Sequence, residues 1–176
     1  MHMKLYILRH GDAGEAGDPR YKDNERPLTA KGIQRTKQLA HVLREMEITM
    51  DVIVTSPLKR AKETAEIVAR GLKIEKDLRE SEHLAPSGSM EELVHQVNTI
   101  RPTPKNVMLV GHEPYLSGFI SLLCTGGPGL PLVFKKGALC RLDLQVLSCG
   151  KCATLDWLLQ PRVIGFSPPK RKDEKH

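Results

Sequence analysis

The chain has 176 residues, with 27 lysines and arginines against 21 aspartates and glutamates, and carries a formal net charge of +6. Its length suits one domain with a substantial core, and 40% hydrophobic with 27% charged residues is the mix of a globular, non-fibrous protein. No apolar run approaches the roughly 20 residues that span a bilayer, and the N-terminus lacks a signal-peptide layout, so a cytoplasmic protein without membrane contact is expected.

Residues 3–8 read as a buried strand that runs directly into Arg9, His10 and Gly11. The stretch "GDAGEAGDPRYKDNERP" that follows is polar and glycine-rich, a long loop of the sort that often carries function. Thr29 is placed to cap a helix whose apolar face is Ile33, Thr36, Ala40 and Leu43. "DVIVT" is a second strand. Ser56 and Pro57 form a cap followed by a first-turn proline, and Ala61, Thr64, Ile67 and Val68 continue as a buried helix face closed by Gly71.

Ser89 to Glu92 fits a capping box, with Met90, Leu93, Val94 and Val97 on the apolar side of the helix behind it. "NVMLVG" is a third strand, and Pro114 stands near the start of a helix reaching about Leu123. Two alternating runs, 138–146 and 153–159, predict an antiparallel hairpin. Strands that alternate with helices predict a three-layer α/β/α fold with a mostly parallel sheet and the hairpin at its edge. The domain is expected to span residues 1–161, followed by a basic, flexible tail over 162–176.

"CGKC" contains Cys149 and Cys152, a pair that raises zinc and redox readings. Zinc would need Cys124 and Cys140 as further ligands, and these form no second close pair. A redox CxxC normally opens a helix, and this one lies between strands. A hairpin with a two-residue loop, Gly150–Lys151, and reduced cysteines is the expectation. The tail has a nucleic-acid reading, but no basic block is interleaved with aromatics, so no nucleic-acid partner is expected.

In open α/β sheets, ligands bind beyond the carboxyl ends of the strands. The first strand ends in Arg9-His10-Gly11, the second in Thr55-Ser56-Pro57 with Arg60 close behind, and the third in Gly111-His112-Glu113. Each residue alone has an ordinary explanation as a solvated charge or a satisfied core histidine, and His41, His83 and His95 are read that way. Surface charge has no reason to recur at three strand ends on one edge. Arginine forks match phosphate oxygens, and a neutral imidazole beside them is a competent nucleophile toward phosphorus.

"LRHG", "RPLTAKG", "TSPLKRAKETA" and "VGH", in that order, resemble the histidine phosphatase superfamily over roughly residues 3–160. The "RHGDA" ending and the short chain look most like its SixA-type branch, the phosphohistidine phosphatases. The resemblance implies a catalytic set of His10, Arg9, Arg60 and His112. His10 would be the nucleophile that carries the phosphoryl group, and Arg26 would bind substrate.

It also implies a phosphohistidine-bearing protein as partner, such as a histidine-containing phosphotransfer domain; no cofactor or metal is expected, because arginines at the strand ends would oppose a cation and no complete ligand set is present. Larger members carry an acid for the leaving group, and here only Glu80 and Glu82 lie about where it would be. The alternatives are a small-molecule phosphomonoesterase or phosphoglycerate mutase-like enzyme, a metal-dependent phosphoesterase using His10, Asp12, His112 and Glu113, and a phosphoprotein-binding module without catalysis.

Overall fold

The structure, a computed structural model, describes residues 2–164. Strands β1 (Met3–Arg9), β2 (Val52–Thr55), β3 (Leu78–Glu80), β4 (Asn106–Gly111), β5 (Leu139–Leu144) and β6 (Ala153–Leu159) form one sheet in the order β3-β2-β4-β1-β5-β6. β3, β2, β4 and β1 run parallel, β5 runs antiparallel to β1, and β6 antiparallel to β5. Helices α1 (Ala30–Glu45), α2 (Lys59–Leu72), α3 (Met90–Thr99) and α4 (Tyr115–Thr125) cover the two faces, and a short α5 (Pro161–Ile164) follows β6.

Side chains of the central strands alternate between two cores. Tyr6, Leu8, Ile53 and Met108 pack with Leu39, Leu43, Ala65 and Val68 of α1 and α2. Leu5, Ile7, Val54 and Leu109 pack with Leu93, Val97, Leu116 and Phe119 of α3 and α4. A strand buried on both faces must be apolar throughout, which is why "LYIL" and "VMLV" carry no polar alternation. The three-layer α/β/α fold with an antiparallel hairpin at the sheet edge is the observed one.

Several local expectations change. The buried face of α1 uses Leu39 and leaves Ile33 37% exposed. α2 starts at Lys59, two residues beyond the proline, with Leu58 at the cap position and no side-chain cap. Gly71 lies inside α2, which ends at Leu72, with Lys73 in the left-handed region (φ 61°) as the cap. A Cβ at Gly71 would come within 2.6 Å of Ala40 Cβ, so this glycine serves the contact of α1 with α2. The β5–β6 connection spans residues 145–152, well beyond a two-residue turn, and the four cysteines are free. β3 is an additional edge strand.

The basic tail expected from residue 162 begins with α5, whose Ile164 packs against the α1–α2 core, and from residue 165 it lies outside the described residues. No helix among the described residues is long and apolar enough to cross a membrane.

Gly32, in the first turn of α1, sets how closely this helix approaches the loop after β1. A Cβ there would lie 2.1 Å from the Asp12 carbonyl oxygen, a backbone atom that cannot swing aside. Gly32→Ala is therefore expected to lose roughly 1–3 kcal/mol, the usual range for forcing an extra carbon into a packed site. Urea unfolding measures the loss, and an unchanged midpoint would contradict it.

Candidate active site

Three parallel strands end at one rim, and their backbones are joined just past the sheet. The His10 amide donates to the Gly111 carbonyl (3.1 Å) and the Ser56 amide to the Val110 carbonyl (2.9 Å). On the other side of β1, the Gly137 amide donates to the carbonyls of Arg9 (3.1 Å) and His10 (2.9 Å). The rim is thus held by backbone hydrogen bonds where the histidine and arginine side chains leave it, the condition for holding a constellation to sub-ångström tolerance.

His10 is 6% exposed, and its Nδ1 lies 2.8 Å from the Gly11 carbonyl oxygen. A carbonyl only accepts, so Nδ1 carries the proton and the lone pair of the neutral ring is on Nε2. Burial pushes the His10 pKa down to about 3. The Gly11 carbonyl opposes the shift, while His112, Arg60 and Arg9 add to it. Gly11 is not in the left-handed region. Its role is space. An added Cβ would lie 3.0 Å from Thr36 Oγ1 and 3.3 Å from Leu28 Cδ2, and its amide donates to Thr64 Oγ1 of α2 (3.0 Å).

His112 is almost wholly buried, its ring centroid 5.1 Å from that of His10. His112 Nε2 is 2.8 Å from Ser56 Oγ, and the Leu58 amide donates to that same oxygen (3.3 Å). The hydroxyl can still donate to Nε2, and in that arrangement the imidazole proton sits on Nδ1. Burial lowers the His112 pKa to about 4, with Arg60, Arg9 and Arg26 contributing and Asp23 opposing. Ser56, read from sequence only as a helix cap, is a partner of the second histidine.

Arg9 donates through NH1 to the Phe134 carbonyl (2.8 Å), and Arg60 through NH1 to the Asp23 carbonyl (2.8 Å). Arg26 is buried and donates to the Gly14 carbonyl (2.6 Å) and to Asp23 Oδ1 (2.9 Å). Asp23 also reaches Arg60 through Oδ2 (3.4 Å), so one carboxylate binds two of the three arginines. The hydrogen bond from Arg26 holds the Asp23 carboxyl below the ordinary carboxylate range, and Arg60 reinforces this. Asp23 was not singled out in the sequence. Its place three residues before Arg26 in a charged loop was the available signal.

Arg9 Nε, Arg60 Nε and His112 Nδ1 are buried without a hydrogen-bond partner among the described residues. Buried cations and donors are costly unless paired. A rim that keeps two guanidinium groups this way fits an anion with several acceptor oxygens. Glu80 is not at the arginines. It forms an ion pair with Lys62 (2.6 Å) at the exposed sheet edge. Glu82 begins a 3-10 turn and is exposed. Among the described residues no group of three or more His, Cys, Asp or Glu side chains is placed to hold a metal ion.

A family model described as the histidine phosphatase superfamily (branch 1) matches residues 5–105. An uncharacterized protein of Picosynechococcus sp. is 36% identical over 141 residues, 80% of this chain and 84% of its own length. Phosphohistidine phosphatase SixA of Escherichia coli K12 is 26% identical over 161 residues, 90% of this chain and 94% of its own. A solved structure of the protein histidine phosphatase SixA complexed with tungstate superposes with a TM-score of 0.78 at 25% identity. It covers 91% of this chain and 98% of its own. The chain belongs to the histidine phosphatase superfamily and is a phosphatase.

Both site histidines are neutral in the fold and protonate near pH 6.5 when unfolded. The unfolded chain therefore binds more protons, and stability falls as pH drops from about 6.5 toward about 4 for His112 and about 3 for His10. Each ring contributes about 1.4 kcal/mol per pH unit inside its window. Urea unfolding between pH 4.5 and 6, bounds taken as roughly the inner part of that range, is expected to show about one proton less in the slope for His10→Ala than for the natural chain. Equal slopes would contradict the burial of a neutral His10.

Proposed function

We propose that this phosphatase removes the phosphoryl group from phosphohistidine on a partner protein, with His10 as nucleophile. The observation that carries the reading is the state of His10: a buried neutral ring, tied through Nδ1 to Gly11, whose Nε2 lone pair stands among arginines. The similarity along nearly the whole chain to the phosphohistidine phosphatase SixA of Escherichia coli supports the substrate class.

In this reading Arg9, Arg60 and Arg26 bind the phosphoryl oxygens, and the donors on Arg9, Arg60 and His112 stabilise charge on the equatorial oxygens in the transition state. His10 Nε2 forms a bond to phosphorus while the phosphorus–nitrogen bond of the substrate breaks. The ring keeps its Nδ1 proton, and the positive charge that develops on it faces the Gly11 carbonyl. Water then attacks phosphorus, the His10–phosphorus bond breaks, and inorganic phosphate leaves with His10 neutral again. His112 donates to a phosphoryl oxygen and Ser56 orients it.

Leaving-group chemistry supports phosphohistidine over a phosphomonoester. A phosphohistidine ring protonated at its other nitrogen departs as neutral imidazole and needs no acid from the enzyme, whereas an alkoxide needs one. Asp23, the carboxylate at the arginines, is held ionised by Arg26 and Arg60, and Glu80 is paired with Lys62.

The test is kcat/KM for a phosphohistidine protein against phosphoserine, phosphothreonine and sugar phosphates at one pH. The expected preference is about 10²–10⁴, the usual worth of a general acid. His10→Ala should abolish turnover of the phosphohistidine protein while the fold persists. Equal kcat/KM values, or a marked loss of phosphomonoesterase activity in Glu82→Gln, would move the protein to the small-molecule phosphomonoesterase reading.

A further inference from the structure

An open cleft of about 380 Å³ adjoins the site on the β5 side of β1, lined by Arg9, Lys31, Arg35, Lys135, Lys136 and Arg162. One carboxylate, Asp12, faces these six bases, and it is paired with Arg35 (3.1 Å). Lys31, Lys135, Lys136 and Arg162 have no ion-pair partner among the described residues, and all four are exposed.

The backbone fixes this charge against the reactive centre. The Phe134 carbonyl accepts from Arg9, and the Gly137 amide donates to the carbonyls of Arg9 and His10. The two residues between those anchors are Lys135 and Lys136. Lys31 stands in the first turn of α1, where a cation opposes the helix dipole and where no acidic residue is present. Like charges gathered on three separate segments, one of them against its local preference, are explained by an anionic surface that they meet together.

We infer that this cleft is a docking face for carboxylates of the phosphoprotein substrate, seated beside Arg9 while the phosphohistidine enters among the arginines. The inference rests on the proposed phosphohistidine activity. Long, exposed lysines and Arg162, on three segments, match carboxylates spread over a protein surface, and they form no enclosed pocket for a small anion. Nucleic acid fits less well, because no aromatic side chain lines the cleft to stack a base.

The experiment compares the natural chain with Lys135→Glu/Lys136→Glu and with Lys31→Glu/Arg162→Glu. The substrates are a histidine-containing phosphotransfer domain with acidic residues around its phosphohistidine, the same domain with those residues changed to lysine, and phosphoramidate, which has a phosphorus–nitrogen bond and no protein surface. Steering by a charged cleft is worth about 10–10³ in association. Each double variant is therefore expected to lose about tenfold or more in kcat/KM on the acidic domain, in KM and with a flattened salt dependence. Phosphoramidate turnover should stay within about twofold, since no reacting group has changed, and the lysine-bearing domain should recover the loss.

An unchanged kcat/KM on the acidic domain, or an equal loss on phosphoramidate, overturns the docking face while leaving the phosphohistidine activity standing. An oligonucleotide that blocks the natural chain but not the variants, at concentrations where the acidic domain does not compete, also overturns it and assigns the cleft to nucleic acid. A natural chain that turns over phosphomonoesters but neither phosphorus–nitrogen substrate instead removes the proposed function and this inference with it.

Discussion

The structure around the rim depends on the hydrogen bond from His10 Nδ1 to the Gly11 carbonyl, 2.8 Å long and closed within two residues of chain. It settles which nitrogen of a buried imidazole holds the proton, and so which one keeps a lone pair. That bond holds its geometry only if the backbone of residues 9–11 cannot move. β1 is buried on both faces and paired on both edges, to β4 and β5. Its last residues are then held by amides and carbonyls from Gly111, Gly137 and Ala138 and by Thr64. The sheet is a mount, and the tightness of its cores is what gives the mount its stiffness.

A second constraint is electrostatic. Burial makes the Arg60 charge costly, and Arg26 nearby adds to the cost. Asp23 offsets this by bonding to both, and the Gly14 and Asp23 carbonyls take further donors. The loop that brings Asp23 and Arg26 is itself fastened. The Leu28 amide donates to Glu63 of α2 (2.7 Å) and the Thr29 amide to the Asp12 carbonyl (2.9 Å). Burial keeps both histidines neutral, and the arginines around them add to the effect.

Much of this was legible in the chain because it is local. The apolar runs of β1, β2 and β4, the Thr29 and Ser89 caps and the loaded strand ends are patterns of a few residues each, and the parallel order follows from alternating strands and helices. What escaped is long-range or has no pattern. Ser56 and His112 meet across 56 positions, so nothing near Ser56 distinguishes a helix cap from an imidazole partner. β3 is three residues long and two of them are charged, below what periodicity can register. Gly11, Gly32 and Gly71 are visible as glycines, but the atoms their missing side chains would strike belong to other segments. The basic cleft draws on residues from 9 to 162.

Chemistry at this rim turns on His10 standing neutral, with its proton on Nδ1, at the pH where the enzyme works. Nitrogen-15 NMR of the imidazole, assigned by comparison with His10→Ala, tests it most directly. The expected result is a neutral Nδ1–H ring with no titration step across about pH 5–8, the range in which an unperturbed histidine changes charge. A ring that is protonated on both nitrogens at neutral pH, or that is neutral with its proton on Nε2, would contradict it.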